Sequence, residues 1–168
     1  MMNPTTADTV ELIERLAVDA ASSPTVQQAA AGIRQRLSSS PTDLELVRLV
    51  ELYVSEVMAY RDDPPGIELV KDPAWALQLV SRYGQTEGDC DDAVALVSAL
   101  LIKLGYRPQL VRLAWFDDGA DPYAHVLVQV PIEVEGRVTP VLLDTTVSGD
   151  LGSILDRAAR VYVHSPML

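Results

Sequence analysis

Gly88-Asp89-Cys90-Asp91-Asp92 leads directly into Ala93-Val94-Ala95-Leu96-Val97-Ser98-Ala99-Leu100-Leu101-Ile102-Lys103-Leu104-Gly105. Asp89 is placed to cap a helix that begins at Cys90 and stops at Gly105. Asp92, three residues past that cap, has capping-box spacing. Ala93, Leu96, Val97, Leu100, Leu101 and Leu104 recur on one face, and the helix is predicted to bury that face. The thiol of Cys90 then stands at the N-terminus of a packed helix. There the unpaired N–H groups and the helix dipole favour a thiolate and can hold an oxyanion. Asp89, Asp91 and Asp92 work the other way, since nearby carboxylates raise a thiol pKa. A reactive Cys90 therefore needs a partner, most simply an imidazolium.

Upstream of this stretch the apolar period is helical. Val10, Ile13, Leu16, Ala17 and Ala20 mark a first helix. Ser23-Pro24 starts a second that carries Val26, Ala29, Ala30, Ile33 and Leu37. Ser38-Ser39-Ser40-Pro41 breaks it, and Leu44, Val47, Val50, Val54, Val57 and Met58 stripe a third. Arg61-Asp62-Asp63-Pro64-Pro65-Gly66 reads as a loop. Asp72-Pro73 caps a short helix that ends at Tyr83-Gly84, and 85–89 reads as a polar loop.

Downstream the period changes to two. Residues 109–116 and 123–134 read as strands, Glu135-Gly136 as a turn and 138–145 as a third strand that pairs with the second in a hairpin. Pro140 inside that third strand predicts an edge or a bulge. A short helix over 151–159 and a last strand over 161–163 follow. His125, Leu127 and Gln129 share one face of the second strand; Ala124, Val126, Val128 and Val130 share the other. A histidine in an apolar strand is costly unless its polar atoms are used. Asp144 ends the apolar run of the third strand, where antiparallel pairing lets it face and orient His125. It reads equally well as the first residue of the turn Asp144-Thr145-Thr146. Trp115 and Phe116 stand at a strand end, where burial is the commoner use of aromatics and a cleft wall the rarer.

In this order and context the chain resembles the transglutaminase-like superfamily, a branch of the papain-like cysteine hydrolase fold, in its short bacterial or phage-type form. The matching pieces are G-D-C-D-D opening a helix, Leu104-Gly105-Tyr106 ending it, A-H-V-L-V on a strand and L-L-D-T-T on the next. The stretch from Tyr60 to Glu68, then Asp72-Pro73, looks like the family's lead-in. Where such proteins often carry a tryptophan before the aspartate, Val141-Leu142-Leu143 stands here. The resemblance implies an α+β fold, with a helical region over 1–60 and a core over 61–168 in which the Cys90 helix packs on an antiparallel sheet. It implies Cys90 as nucleophile, His125 as general base and acid, and Asp144 as the orienting carboxylate. Gln85, Tyr83 and Trp75 are the candidates for a second oxyanion donor. The activity implied is cysteine-dependent acyl transfer or hydrolysis at a peptide or protein amide, without a cofactor. The alternative is a non-catalytic binding or structural module, phage or mobile-element associated, that keeps the fold.

The 168 residues carry a net charge of −11, which opposes nucleic-acid binding. At 48% apolar content one domain can bury a full core. A single cysteine excludes an internal disulfide and a multi-thiolate zinc site. Helix capping explains Asp89 and Asp92 more simply than a divalent metal does. His164 reads as an exposed tail residue. The start has no basic region before an apolar run, and no stretch is long enough to span a membrane, so the expectation is a cytoplasmic or virion-associated chain.

Overall fold

In the computed structural model, the described residues are 6–37, 39–65, 67, 69–116, 123–146 and 151–167. Of the stretches quoted above, residues 1–5, Ser38, Gly66, Glu68, 117–122, 147–150 and Leu168 lie outside them.

The fold is α+β and is organised around one helix. Helices α1 (Thr6–Ala20), α2 (Pro24–Gln35), α3 (Asp43–Val57) and α4 (Pro73–Tyr83) precede α5 (Cys90–Lys103). Each begins or ends where local chemistry dictates. Ser23 caps α2 with Pro24 at its first position. Thr42 and Glu45 form a reciprocal capping box on α3. Asp72 caps α4, and Gly84 closes it in the left-handed conformation at φ 82°.

Helices α1 to α4 all pack against α5. Its sequence pattern predicted one buried face, yet every residue from Asp91 to Leu101 is buried. The stripes Val10, Ile13 and Ala17 of α1, and Val47, Val50 and Val54 of α3, cover what would otherwise be its solvent side. A helix that is apolar all round has to be enclosed in this way.

The remaining face of α5 meets a four-stranded antiparallel sheet of order β5-β4-β3-β6. Its strands are β3 (Gln109–Ala114), β4 (Tyr123–Val134), β5 (Arg137–Leu143) and β6 (Arg160–Val163), with α6 (Leu151–Arg157) before the last. Val126, Val128, Val130 and Ile132 of β4 join the core that contains α5. Leu127 packs on the other face with Val111, Leu113 and Ile154 of α6. β5 is an edge strand, where Pro140 needs no ladder partner on its outer side. The β4–β5 hairpin turns through Glu135 and Gly136, both at positive φ, the geometry that a two-residue connection requires.

Two short strands escape the sequence patterns. β1 (Met58–Tyr60) continues directly from α3 and pairs in parallel with β2 (Thr86–Gly88), Tyr60 lying opposite Gly88. At three residues each, neither displays a period that could be read. The ladder is extended by the Arg61 N–H donating to the Gly88 carbonyl at 2.9 Å. It pins the approach to Cys90 against the end of α3.

Candidate active site

Cys90 is delivered by three local devices. The Asp89 side chain accepts from the N–H groups of Asp91, at 3.1 Å, and Asp92, capping α5 as the sequence predicted. The Asp92 carboxylate does not close the expected capping box. One oxygen accepts the Lys71 backbone N–H at 2.6 Å, and the other forms an ion pair with Lys71 Nζ while its side chain is fully buried. A buried carboxylate gains more from a cation than from the backbone N–H of the capping residue, and Lys71 supplies one. Gly88 makes room for this: a Cβ there would lie 2.5 Å from the Asp92 Cβ.

The Cys90 thiol is half-buried and donates to Asp91 Oδ1 at 3.6 Å. Burial drives its pKa far above the ordinary thiol range, and the charges of Asp91 and Asp89 push the same way. The backbone N–H of Val126 hydrogen-bonds the sulfur and opposes them. The helix dipole is thus outweighed, and the resting group is a protonated thiol rather than the thiolate that the helix terminus alone would favour. Asp89 itself is pushed up to about 6, by burial first and then by Asp92.

The Val126 contact brings the sulfur against the backbone that carries His125. β5 stops pairing with β4 at Val128↔Leu143, so the first residues of β4 have no strand on that side among the described residues. β3 occupies the opposite edge, Leu113 facing His125 and Arg112 facing Val126. The sulfur therefore lies at the open edge of β4. By strand parity His125 and Asp144 share the face that holds Leu127, and their side chains are only 9% and 2% exposed. His125 Nε2 meets Asp144 Oδ2 at 2.6 Å. Asp144 Oδ1 accepts from the Thr146 N–H at 2.9 Å and its hydroxyl at 2.8 Å. Burial alone would raise the Asp144 carboxyl, but the bonds and charge from His125, with those from Thr146, outweigh it and hold it below the ordinary range. The turn and the orienting role that the sequence left as alternatives coexist at Asp144, one on each oxygen. Trp115 stacks on the His125 ring at 6.2 Å, nearly parallel.

The three residues named as oxyanion candidates are all exposed. Trp75 sits in the first turn of α4 at 48% exposure, and Tyr83, at 64%, lies under the Arg82 guanidinium. Gln85 leads into β2. Phe116 is 69% exposed, whereas Trp115 packs beside the second core cluster. His164 is not a free tail residue: its N–H bonds the Leu110 carbonyl at 2.8 Å, and its ring meets Tyr162 edge-on at 4.7 Å. Sequence reasoning passed over Lys71, Glu51 and Tyr60. Glu51 accepts the Asp144 N–H, and the Tyr60 hydroxyl donates to Asp62 Oδ1 at 2.9 Å. Glu51 lies in α3, Tyr60 ends β1 and Lys71 precedes α4, and no spacing marks any of them. Among the described residues no group of three or more His, Cys, Asp or Glu is arranged to hold a metal ion. No helix among them is long and apolar enough to cross a membrane.

No protein-family model and no curated protein matches the sequence. Among solved structures, the chain is similar to a crystal structure named as a putative protease from Parabacteroides distasonis. The two superpose with a TM-score of 0.53 at 14% identity, over 77% of this chain and 25% of that one. The chain thus spans a quarter of that protein's length, and what the likeness establishes is a shared fold.

Proposed function

We propose that the chain is a transglutaminase-like cysteine acyltransferase or hydrolase acting on a peptide or protein amide, with Cys90 as nucleophile, His125 as base and acid, and Asp144 as its orienter. Residues 61–168 form the core of this unit, and the helices of 1–60 brace it. The observation that carries the reading is the 2.6 Å contact between His125 Nε2 and Asp144. An ionised Asp144 holds the proton on Nε2 and leaves Nδ1 as the acceptor. The Cys90 sulfur takes a hydrogen bond from the N–H of Val126, the residue that follows His125.

Because the thiol is protonated at rest, deprotonation is coupled to attack. Nδ1 of His125 removes the proton as the sulfur adds to the amide carbonyl, and the α5 N-terminus receives the oxyanion. His125 then protonates the departing amine, which leaves a thioester on Cys90. Water or a second amine, deprotonated by the same imidazole, resolves it.

Iodoacetamide alkylation of Cys90, followed by mass spectrometry from pH 5 to pH 9, tests the reading. A general base contributes on the order of 100-fold, so His125→Ala should slow alkylation at pH 7 by about that factor. Equal, slow rates in both proteins would leave the fold as a binding module with an ordinary thiol.

A further inference from the structure

The site as described so far uses α5, β4 and β5. Its orienting carboxylate is also held from a fourth element. Asp144 follows immediately after β5, where the strand ladder no longer fixes the backbone. Its N–H donates instead to Glu51 Oε1 of α3, at 2.9 Å. Glu51 is held in turn: its Oε2 pairs with Arg48 at 2.8 Å, and the same Arg48 nitrogen donates to the Leu142 carbonyl at 2.8 Å. Two residues one turn apart on α3 thus grip the N–H of Asp144 and the carbonyl of Leu142, two positions apart on the chain. Val47, Val50 and Val54 fix α3 rigidly in the core behind them. The Glu51 side chain is mostly shielded, which strengthens the contact relative to a surface one.

The geometry points to Glu51 as a positioning residue for the proposed triad: it sets where the Asp144 carboxylate stands, and so how the His125 imidazole is aimed at Cys90. The inference rests on the functional reading above and assigns the N-terminal helices a part in the chemistry. Glu51 touches no reacting atom; it acts through the Asp144 backbone. Its essential feature is an acceptor oxygen at that place, not a negative charge.

The test compares Glu51→Met, which keeps length but removes the acceptor, with Glu51→Gln, which keeps the acceptor oxygen. The readout is the pH profile of Cys90 alkylation, with melting temperature measured alongside. Misplacing an orienting group by part of an ångström slows reaction by about tenfold or more. Glu51→Met should therefore lose about tenfold at pH 7 and take on the profile of Asp144→Asn, while Glu51→Gln stays within about threefold of wild type. If Glu51→Met does not fold, Glu51→Ala takes its place in the same comparison. A lowered melting temperature with an unchanged profile would reduce Glu51 to a structural role and overturn the inference, as would equal losses in both variants. A wild-type profile indifferent to His125→Ala would instead fell the functional reading itself, and the inference with it.

Discussion

Cys90 shows how position and charge contend at a single atom. The helix terminus favours a thiolate, but burial and the carboxylates of Asp91 and Asp89 prevail, so the thiol keeps its proton. Removing the nearer carboxylate should release it. Asp91→Asn should lower the Cys90 pKa by about one unit or more and speed alkylation at neutral pH about tenfold. An unchanged rate would mean that Asp91 has no part in holding the proton on the thiol. Asp89 gives a second, separable effect. Its carboxyl titrates at about 6 in the folded chain, against about 3.9 when unfolded. A raised acid binds its proton more tightly in the folded state. Its stabilisation is therefore complete below about pH 4 and is lost as pH climbs through about 6. Asparagine caps as well as aspartate and carries no charge. Asp89→Asn should stabilise the protein at pH 7.5 by on the order of 1 kcal/mol, allowing for solvent screening at a half-exposed site, and leave it unchanged at pH 4. Thermal unfolding at the two pH values checks this; a destabilised variant at pH 7.5 would contradict it.

The elements differ in how plainly the sequence announces them. The caps at Ser23, Asp72 and Asp89 and the stop at Gly84 were legible because each is a local event with its own residue chemistry. The strands β3 to β5 were legible through their period and the Glu135-Gly136 turn. Pro140 pointed to an edge or a bulge in β5, and the strand order makes it an edge. The β1–β2 ladder was not legible, since parallel pairing of two three-residue segments depends on what α3 and α5 place side by side. The enclosure of α5 was half legible. Its own pattern shows one stripe, and only the stripes of α1 and α3 together call for the second face. That enclosure has an energetic consequence. Leu100 is completely buried in the main core cluster. Leu100→Ala should cost about 3 kcal/mol of unfolding free energy, measured by urea denaturation. A loss below about 1 kcal/mol would mean that the core collapses around the missing atoms.

Taken as a molecule, the protein converges elements distant in sequence on one edge of a sheet: the start of α5, the start of β4, the residue after β5 and the middle of α3. The residue types and their order on the chain made Cys90, His125 and Asp144 the candidates, and of these the structure joins His125 to Asp144. The supporting contacts of Lys71 and Glu51 did not emerge from the sequence, because each links segments whose proximity is decided by the packing of α3 and α5. The net charge of −11 disfavours a polyanion as a partner. The proposed chemistry is tested most directly by mixing the intact chain with p-nitrophenyl acetate, an activated acyl donor, and following nitrophenol release with intact-mass detection of the protein. The account predicts a burst stoichiometric with protein and an acetyl group on Cys90. Slower, His125-dependent deacylation should follow, and the burst should be lost in Cys90→Ala. Nitrophenol release without a burst, at the same rate in wild type, Cys90→Ala and His125→Ala, would contradict it.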